Sequence, residues 1–145
     1  MHTGYLSIET HPGHPHIIRT RAFRYKPDAD KSDDGGRIRY TAWFEDIDAG
    51  EMHLHEFLRH SLIDINNRLY RTKLTTAIAD IESIRLRHKC IWRDPDLTPG
   101  ELQTIDTLQR QIKKRQDRVE RLINIIGYGA LVLLCFNLLV LLVLT

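Results

Sequence analysis

Histidine is the residue type whose number and spacing first suggest chemistry in this sequence. The chain holds 8 histidines, and the densest group is HLHEFLRH, from His53 to His60. On a helix, His53 and His60 share a face but lie ~10.5 Å apart along the axis, too far for one ion. Only a pair such as Glu56 and His60 could chelate an ion, and with His53 these residues are the candidates for a metal or haem site. Because such a site needs further ligands, for example from His11, His14 or His16, we expect no cofactor.

The acidic run that begins at Asp28 resembles a calcium loop only in composition. Its sixth position is Asp33, where an EF-hand requires Gly, and its twelfth is Arg39, where the template has Glu. We interpret it as a solvated polar loop. The sequence also contains no P-loop and no GxSxG motif, and no Cys stands beside a His in a nucleophile pattern, so we expect no enzyme.

Five arginines in the first part of the chain suggest an anion or partner site. The candidates are Arg19, Arg21, Arg24, Arg37 and Arg39. Their ligand could be lipid headgroups, a nucleotide or an acidic partner surface. We do not expect nucleic acid as a partner, because the net charge is only +2 and the aromatic residues show no array for base stacking.

Residues 1–50, which hold these arginines, predict a small basic β unit with antiparallel strands. Segments 5–10, 16–25 and 37–45 are rich in β-branched and aromatic residues. In the third, alternation predicts one inward face, formed by Ile38, Tyr40, Ala42 and Phe44. Three strands of this length bury little, so the sheet needs a helix or a neighbouring protein as cover.

Residues 51–97 predict a long amphipathic helix and a turn. The sequence has no Pro or Gly from Glu51 to Trp92, and Leu54, Leu58 and Ile65 follow the spacing of one apolar face. A second stripe from Leu74 to Ile91 is out of phase with the first. We therefore expect a bend near residues 66–67 or 75–76.

Residues 98–124 predict a helix that we call the stalk. Thr98-Pro99-Gly100-Glu101 is a capping box with Pro at the first helical position. A heptad of apolar residues follows, interrupted only by Arg115: Ile105, Leu108, Ile112, Val119 and Leu122. These residues predict a packed seam, either against the preceding helix in a long helical hairpin or against another copy of the chain.

Residues 125–145, which we call the anchor, predict a single transmembrane helix. The segment carries no charge, and as a helix it extends ~31 Å, which matches the ~30 Å hydrocarbon core of a bilayer. Asn137 would lie in mid-membrane, where an amide favours a hydrogen bond to another helix. Gly127 and Gly129 offer a surface for close helix approach.

The flanks of the anchor predict its orientation. The first residues lack a signal peptide, and the stalk is basic before the anchor, with Arg110, Lys113, Lys114, Arg115, Arg118 and Arg121 against Asp117 and Glu120. The positive-inside rule then places the N-terminus in the cytoplasm. A bacterial inner membrane is favoured over a eukaryotic tail-anchored location. Cys90 and Cys135 suit a reducing compartment, and we expect no disulfide between them.

The sequence thus predicts an α+β membrane protein with a small antiparallel β unit, a long helical hairpin and a C-terminal transmembrane helix. We expect a non-enzymatic accessory or assembly subunit, or a scaffold, of a membrane protein complex. Its partners would be the bilayer and other membrane subunits, or itself through the stalk and anchor. Two alternatives remain open: a ligand-sensing, self-associating membrane effector, and a metal- or haem-binding redox subunit.

Overall fold

A computed structural model describes residues 2–28 and 35–144, with side chains as far as residue 142. Most of the acidic run, including Asp33, lies outside the described residues. The chain divides into two compact units, Met1–Gln109 and Arg110–Thr145.

Within the described residues of the first unit, six strands form one antiparallel sheet. They are β1 (Gly4–His11), β2 (His14–Phe23), β3 (Arg37–Phe44), β4 (Leu62–Asp64), β5 (Leu69–Arg71) and β6 (His88–Arg93). Their order across the sheet is β4-β5-β2-β1-β3-β6. The first three strands lie where the sequence predicts them.

Helices α1 (Ile47–Leu58) and α2 (Leu74–Glu82) pack on the sheet and bury one of its faces. α1 begins after Asp46, whose carboxylate accepts the backbone N–H of Ala49 at 3.2 Å. The inward face predicted for β3 is buried, with no residue more than 1% exposed: Ile38, Tyr40, Ala42 and Phe44. The cover that so small a sheet requires therefore comes from this chain.

The prediction of a long helix and a turn over residues 51–97, and of a helical hairpin with the stalk, is wrong. α1 ends at Leu58 and is followed by a 3₁₀ turn, the β4–β5 hairpin, α2 and β6. Ile65, which was predicted to be on the apolar face, is 64% exposed. The prediction of a second apolar stripe from Leu74 to Ile91 is partly right, because Ile78 and Ile81 of α2 are fully buried.

A local turn and an open sheet edge explain why the helix does not form. The Asp64 carboxylate accepts the backbone N–H groups of Asn66 at 2.8 Å and Asn67 at 3.3 Å, and the side-chain amide of Asn67 at 2.7 Å. A side chain that binds nearby backbone in this way competes with helix formation. β6 pairs with β3, whose outer edge would otherwise expose unpaired backbone groups. The spacing of hydrophobic residues in the sequence indicates neither this turn nor the pairing of β6 with β3.

α3 (Pro99–Leu144) begins where the capping box predicts. The backbone N–H of Glu101 donates to Thr98 Oγ1 at 3.3 Å, and that of Thr98 donates to Glu101 Oε2 at 2.8 Å. Its first turns belong to the first unit, where Ile105 is fully buried and the Gln109 amide donates to the Glu82 carbonyl at 3.1 Å. The rest of α3 belongs to the second unit.

Candidate functional site

The sheet face opposite α1 and α2 carries aromatic side chains near a basic one. Tyr5 is paired with Phe23 on one side and with Trp43 on the other, and Trp43 is paired with Lys89. Directly paired residues lie on the same face of an antiparallel sheet. The three aromatic residues are half-buried and Lys89 is exposed. We call Tyr5, Phe23 and Trp43 the aromatic row.

Arg21 is held in place beside the aromatic row. Its Nη1 lies 3.4 Å from Oε1 of Glu9, and its guanidinium lies 5.0 Å from the centroid of the Phe23 ring. Ser7, its cross-strand neighbour, is buried and shares a 2.8 Å hydrogen bond with the Thr41 hydroxyl. Ion pairing and cation–π contact together restrict the Arg21 side chain.

Arg37 and Arg39, two of the predicted anion-site residues, serve the fold instead. Nη2 of Arg37 lies 3.0 Å from Oδ1 of Asp94, and Nε of Arg39 lies 2.5 Å from Oδ2 of the same carboxylate. The Asp94 side chain is fully buried. Arg37 also pairs with the exposed Asp96 at 2.7 Å. The arginine charge is compensated here, and the pairs join β3 to the segment after β6.

The remaining predicted arginines lie elsewhere in the unit. Arg19 and Arg21 are two residues apart on β2 and therefore share a face. Arg24 is exposed beyond the end of β2. The structure thus does not bring the five predicted arginines into one site.

A polar cavity of about 430 Å³ lies where β2 runs beside the β4–β5 turn. Its lining residues are Arg19, Thr20, Arg21, Ala22, Asn66, Asn67 and Arg68. Three arginines therefore contribute to its lining, although the Arg68 guanidinium pairs with Glu51 of α1, which packs on the sheet face opposite Arg19 and Arg21. Arg68 was not among the predicted residues, because the sequence predicted a helix there. The Asp-Ile-Asn-Asn signal at residues 64–67 is typical of a turn and could have revealed it.

Arg68 has an unusual backbone conformation. Its φ is +52°, in the left-handed region that residues other than glycine adopt rarely. The Arg68 guanidinium is ion-paired with Glu51 of α1, and its carbonyl accepts the backbone N–H of Thr20 at 3.2 Å. Such conformations persist only where the surroundings hold them, and they are frequent at ligand sites.

The histidine candidates do not form a metal site. His53 is exposed on α1, and His60 lies in the 3₁₀ turn Arg59–Ser61, beyond the helix that was to align it with Glu56. Glu56 and His60 instead contact Arg59, at 3.0 Å and 3.3 Å. Among the described residues no group of three or more potential ligands is placed to hold a metal ion.

The predicted stalk seam is covered only at its start. Ile105 is buried in the first unit, Leu108 and Ile112 are half-buried, and Val119 and Leu122 are 50% and 59% exposed. The apolar stripe of the second unit therefore remains open to a partner.

The anchor lies in a helix that is long and apolar enough to cross a membrane, with a mean hydropathy of 2.5 in its most apolar stretch. Each residue turns a helix by ~100°, so Asn137 lies on the same side as Val119, with Gly127 and Gly129 ~80° to either side. All three predicted association residues are exposed, and a Cβ at either glycine would meet nothing within 4 Å.

Comparison of this chain with protein-family models, curated proteins and solved structures finds no match.

Proposed function

We propose that this chain is a non-enzymatic, single-pass membrane protein that self-associates through α3 and acts as a scaffold or assembly subunit of a membrane protein complex. The observation that supports this most directly is the apolar stripe of α3, which stays exposed at Val119 and Leu122 and continues into the apolar helix. An exposed stripe of this kind is typical of an interaction surface.

A second copy is the best partner for the stripe. The helical hairpin that would have covered it inside the chain is absent, because residues 51–97 form β4, β5, α2 and β6 instead. The heptad has Ile112, Val119 and Ile126 at one core position and Leu122 at the other. β-Branched residues at position a of the heptad and Leu at position d favour parallel two-stranded coiled coils.

Arg115 and Asn137 adjust this association. Arg115 stands at a core position of the heptad, where a second copy would bring two guanidinium groups together and weaken the dimer. Asn137 shares a side with Val119, so its amide can bond across the same pair of helices within the membrane. A stalk that pairs weakly, together with an anchor that forms a hydrogen bond between helices, is suited to reversible assembly.

The basic flank of the stalk supports a cytoplasmic first unit at a bacterial inner membrane. In this arrangement the aromatic row faces the cytoplasm and offers half-buried rings to a partner subunit. Aromatic residues are enriched in the central part of protein–protein interfaces.

The stalk seam is tested on the full chain in mild detergent by light scattering and cross-linking. Val119→Asp should reduce dimer formation at least tenfold, because burial of a Val side chain contributes ~1.5–3 kcal/mol. Arg115→Leu should increase it. Lys114→Asp is the matched control, since it introduces the same acid on an exposed residue away from the stripe.

A chain that stays monomeric in detergent and in nanodiscs, and that Arg115→Leu leaves monomeric, would contradict self-association. Equal loss of dimer in Val119→Asp and Lys114→Asp would show that the stripe is not the seam. Recovery of larger membrane proteins in stoichiometric amounts with the wild-type chain would support the assembly role.

A ligand-sensing, self-associating membrane effector is the second candidate. The polar cavity beside β2, lined by Arg19 and Arg21, favours it, because a ligand bound there could alter the first unit of each copy. Growth arrest on overexpression that requires both the anchor and the cavity arginines would distinguish this effector from a passive scaffold.

A further inference from the structure

We propose that anionic phospholipid headgroups bind beside the seam of α3 and promote the pairing of two copies. Two exposed arginines, Arg115 and Arg118, lie on the same side of α3 as the apolar stripe. With Gln111, Val119 and Leu122 they line one open groove of about 560 Å³ on this helix. The inference rests on the self-association proposed above and names a condition that controls it.

The positive charge of these arginines belongs to the seam itself. We call the line midway between Val119 and Leu122 the stripe centre. At ~100° per residue, Arg115 is ~10° and Arg118 ~70° from this line. Two paired copies therefore bring four guanidinium groups close together, and such like charges repel each other unless an anion compensates them.

The acids of the stalk do not compensate this charge. Glu120 is ~130° and Asp117 ~170° from the stripe centre. Neither Arg115 nor Arg118 has an acid three or four residues away, the spacing at which neighbours on a helix form pairs. The heptad positions that flank the seam near Arg115, where coiled coils carry their ion pairs, also hold no acid. They are Gln111, Gln116, Arg118 and Ile123.

The anchor places both arginines near lipid headgroups. Along the helix, Arg118 is ~10.5 Å and Arg115 ~15 Å from Ile125, the first residue of the anchor. The headgroup layer extends ~5–7 Å beyond the hydrocarbon core, so both arginines lie within about one Debye length of it. A basic residue this close to an anionic membrane strengthens lipid binding about fivefold.

Pairing concentrates the positive charge and so couples association to lipid. Two paired copies present a higher density of guanidinium groups than a single copy, and they bind anionic headgroups more tightly than two separate chains do. By thermodynamic linkage, a ligand that binds the pair more tightly also shifts the chains towards pairing. Association should therefore depend on the charge of the membrane.

This dependence is measured by energy transfer between full-length chains labelled at the exposed Cys90 in a Cys135→Ser background. The chains are reconstituted in vesicles of phosphatidylcholine, or of phosphatidylcholine mixed with phosphatidylglycerol. The anionic lipid should raise the association constant about fivefold or more. Arg115→Leu should pair well in both membranes and lose most of the dependence, because its seam no longer needs an anion.

Lys114→Leu is the matched control for Arg115→Leu. It removes a positive charge at nearly the same distance from the membrane, but ~110° from the stripe centre. It should therefore keep the lipid dependence of the wild type. An equal loss of this dependence in the two variants would show that headgroups act on the whole basic flank and not on the seam, which would overturn the proposal.

Two further outcomes would overturn lipid control but leave self-association standing. One is equal pairing of the wild type in both membranes while Arg115→Leu also pairs. The other is an equal rise in pairing when inorganic phosphate is added to the neutral vesicles, which would identify a free anion instead of a headgroup. Absence of pairing in every vesicle, for Arg115→Leu as well, would show that self-association itself fails.

Discussion

At the scale of single residues, Asp80 is a buried carboxyl within α2. Only 7% of its surface is exposed, and burial raises its pKa to about 6 from an ordinary value of 3.8. A carboxyl with a raised folded-state pKa contributes stability that is fully present below the unfolded value and is lost as the pH rises through the folded one. Asp80 therefore favours the fold at pH 4 more than at pH 7.

Asp80→Asn should raise the free energy of unfolding at pH 7 by about 1–3 kcal/mol and remove this part of the pH dependence between pH 4 and 7. Denaturant titrations at several pH values, followed by tryptophan fluorescence, measure both effects. Asp106→Asn is the control, because Asp106 is exposed on α3. A pH dependence that persists unchanged in Asp80→Asn would contradict this account.

Asp94 supports a second prediction, through its contacts with Arg37 and Arg39. Asp94→Asn removes the charge of a fully buried side chain that both arginines contact, so it should lower the free energy of unfolding by ~2–4 kcal/mol. Asp96→Asn removes a partner of Arg37 that is 63% exposed, and it should cost less than ~1 kcal/mol. Urea titrations of the two variants test this contrast; equal losses would mean that burial of Asp94 is not the cause.

The candidate site shows what the sequence can predict at residue scale. The arginines of β2 were recognisable by type and by their spacing along a strand. Arg68 was not, because its contribution depends on a turn that brings it beside a strand far away in the sequence. The ion pairs of Asp94 and Asp96 were not predictable from the sequence either, because they depend on strand pairing that brings β3 next to the segment after β6.

At the scale of elements, the start of α3 is a local signal that the structure confirms. Thr98→Ala removes the hydroxyl that accepts the Glu101 N–H and donates to the Glu101 carboxylate at 2.9 Å. It should lower the free energy of unfolding by ~1 kcal/mol. Thr104→Ala, the same substitution inside α3, should have little effect or stabilise, because Ala is the better helix former. Thermal unfolding of both variants measures the difference, and equal shifts would contradict a capping role for Thr98.

The elements that the sequence predicts well are those fixed by local patterns. Alternation identified β3, and the capping box identified the first residue of α3. The segment from α1 to β6 failed because its strands are short and form by pairing: β4 and β5 make a hairpin around Asp64, and β6 completes the edge of β3. Helical spacing within α1 and α2 was real, but it did not extend through the turn between them.

At the scale of the whole molecule, the arrangement proposed for the membrane can be tested with a residue that the chain already has. Cys90 is exposed on the first unit, and the basic flank of the stalk predicts that this unit is cytoplasmic. In a Cys135→Ser variant, Cys90 should therefore resist a membrane-impermeant maleimide in intact bacterial spheroplasts. It should react fully after the membrane is permeabilised.

A cysteine appended after Thr145 in a Cys90→Ser, Cys135→Ser background provides the matched control. If α3 crosses the membrane, this thiol lies on the other side and should react in intact spheroplasts. Reversal of Arg118 and Arg121 to Glu should reduce the protection of Cys90, because the basic flank then loses its excess of positive charge. Labelling of Cys90 in intact spheroplasts would place the first unit outside the cytoplasm, and protection of both thiols would show that α3 does not cross.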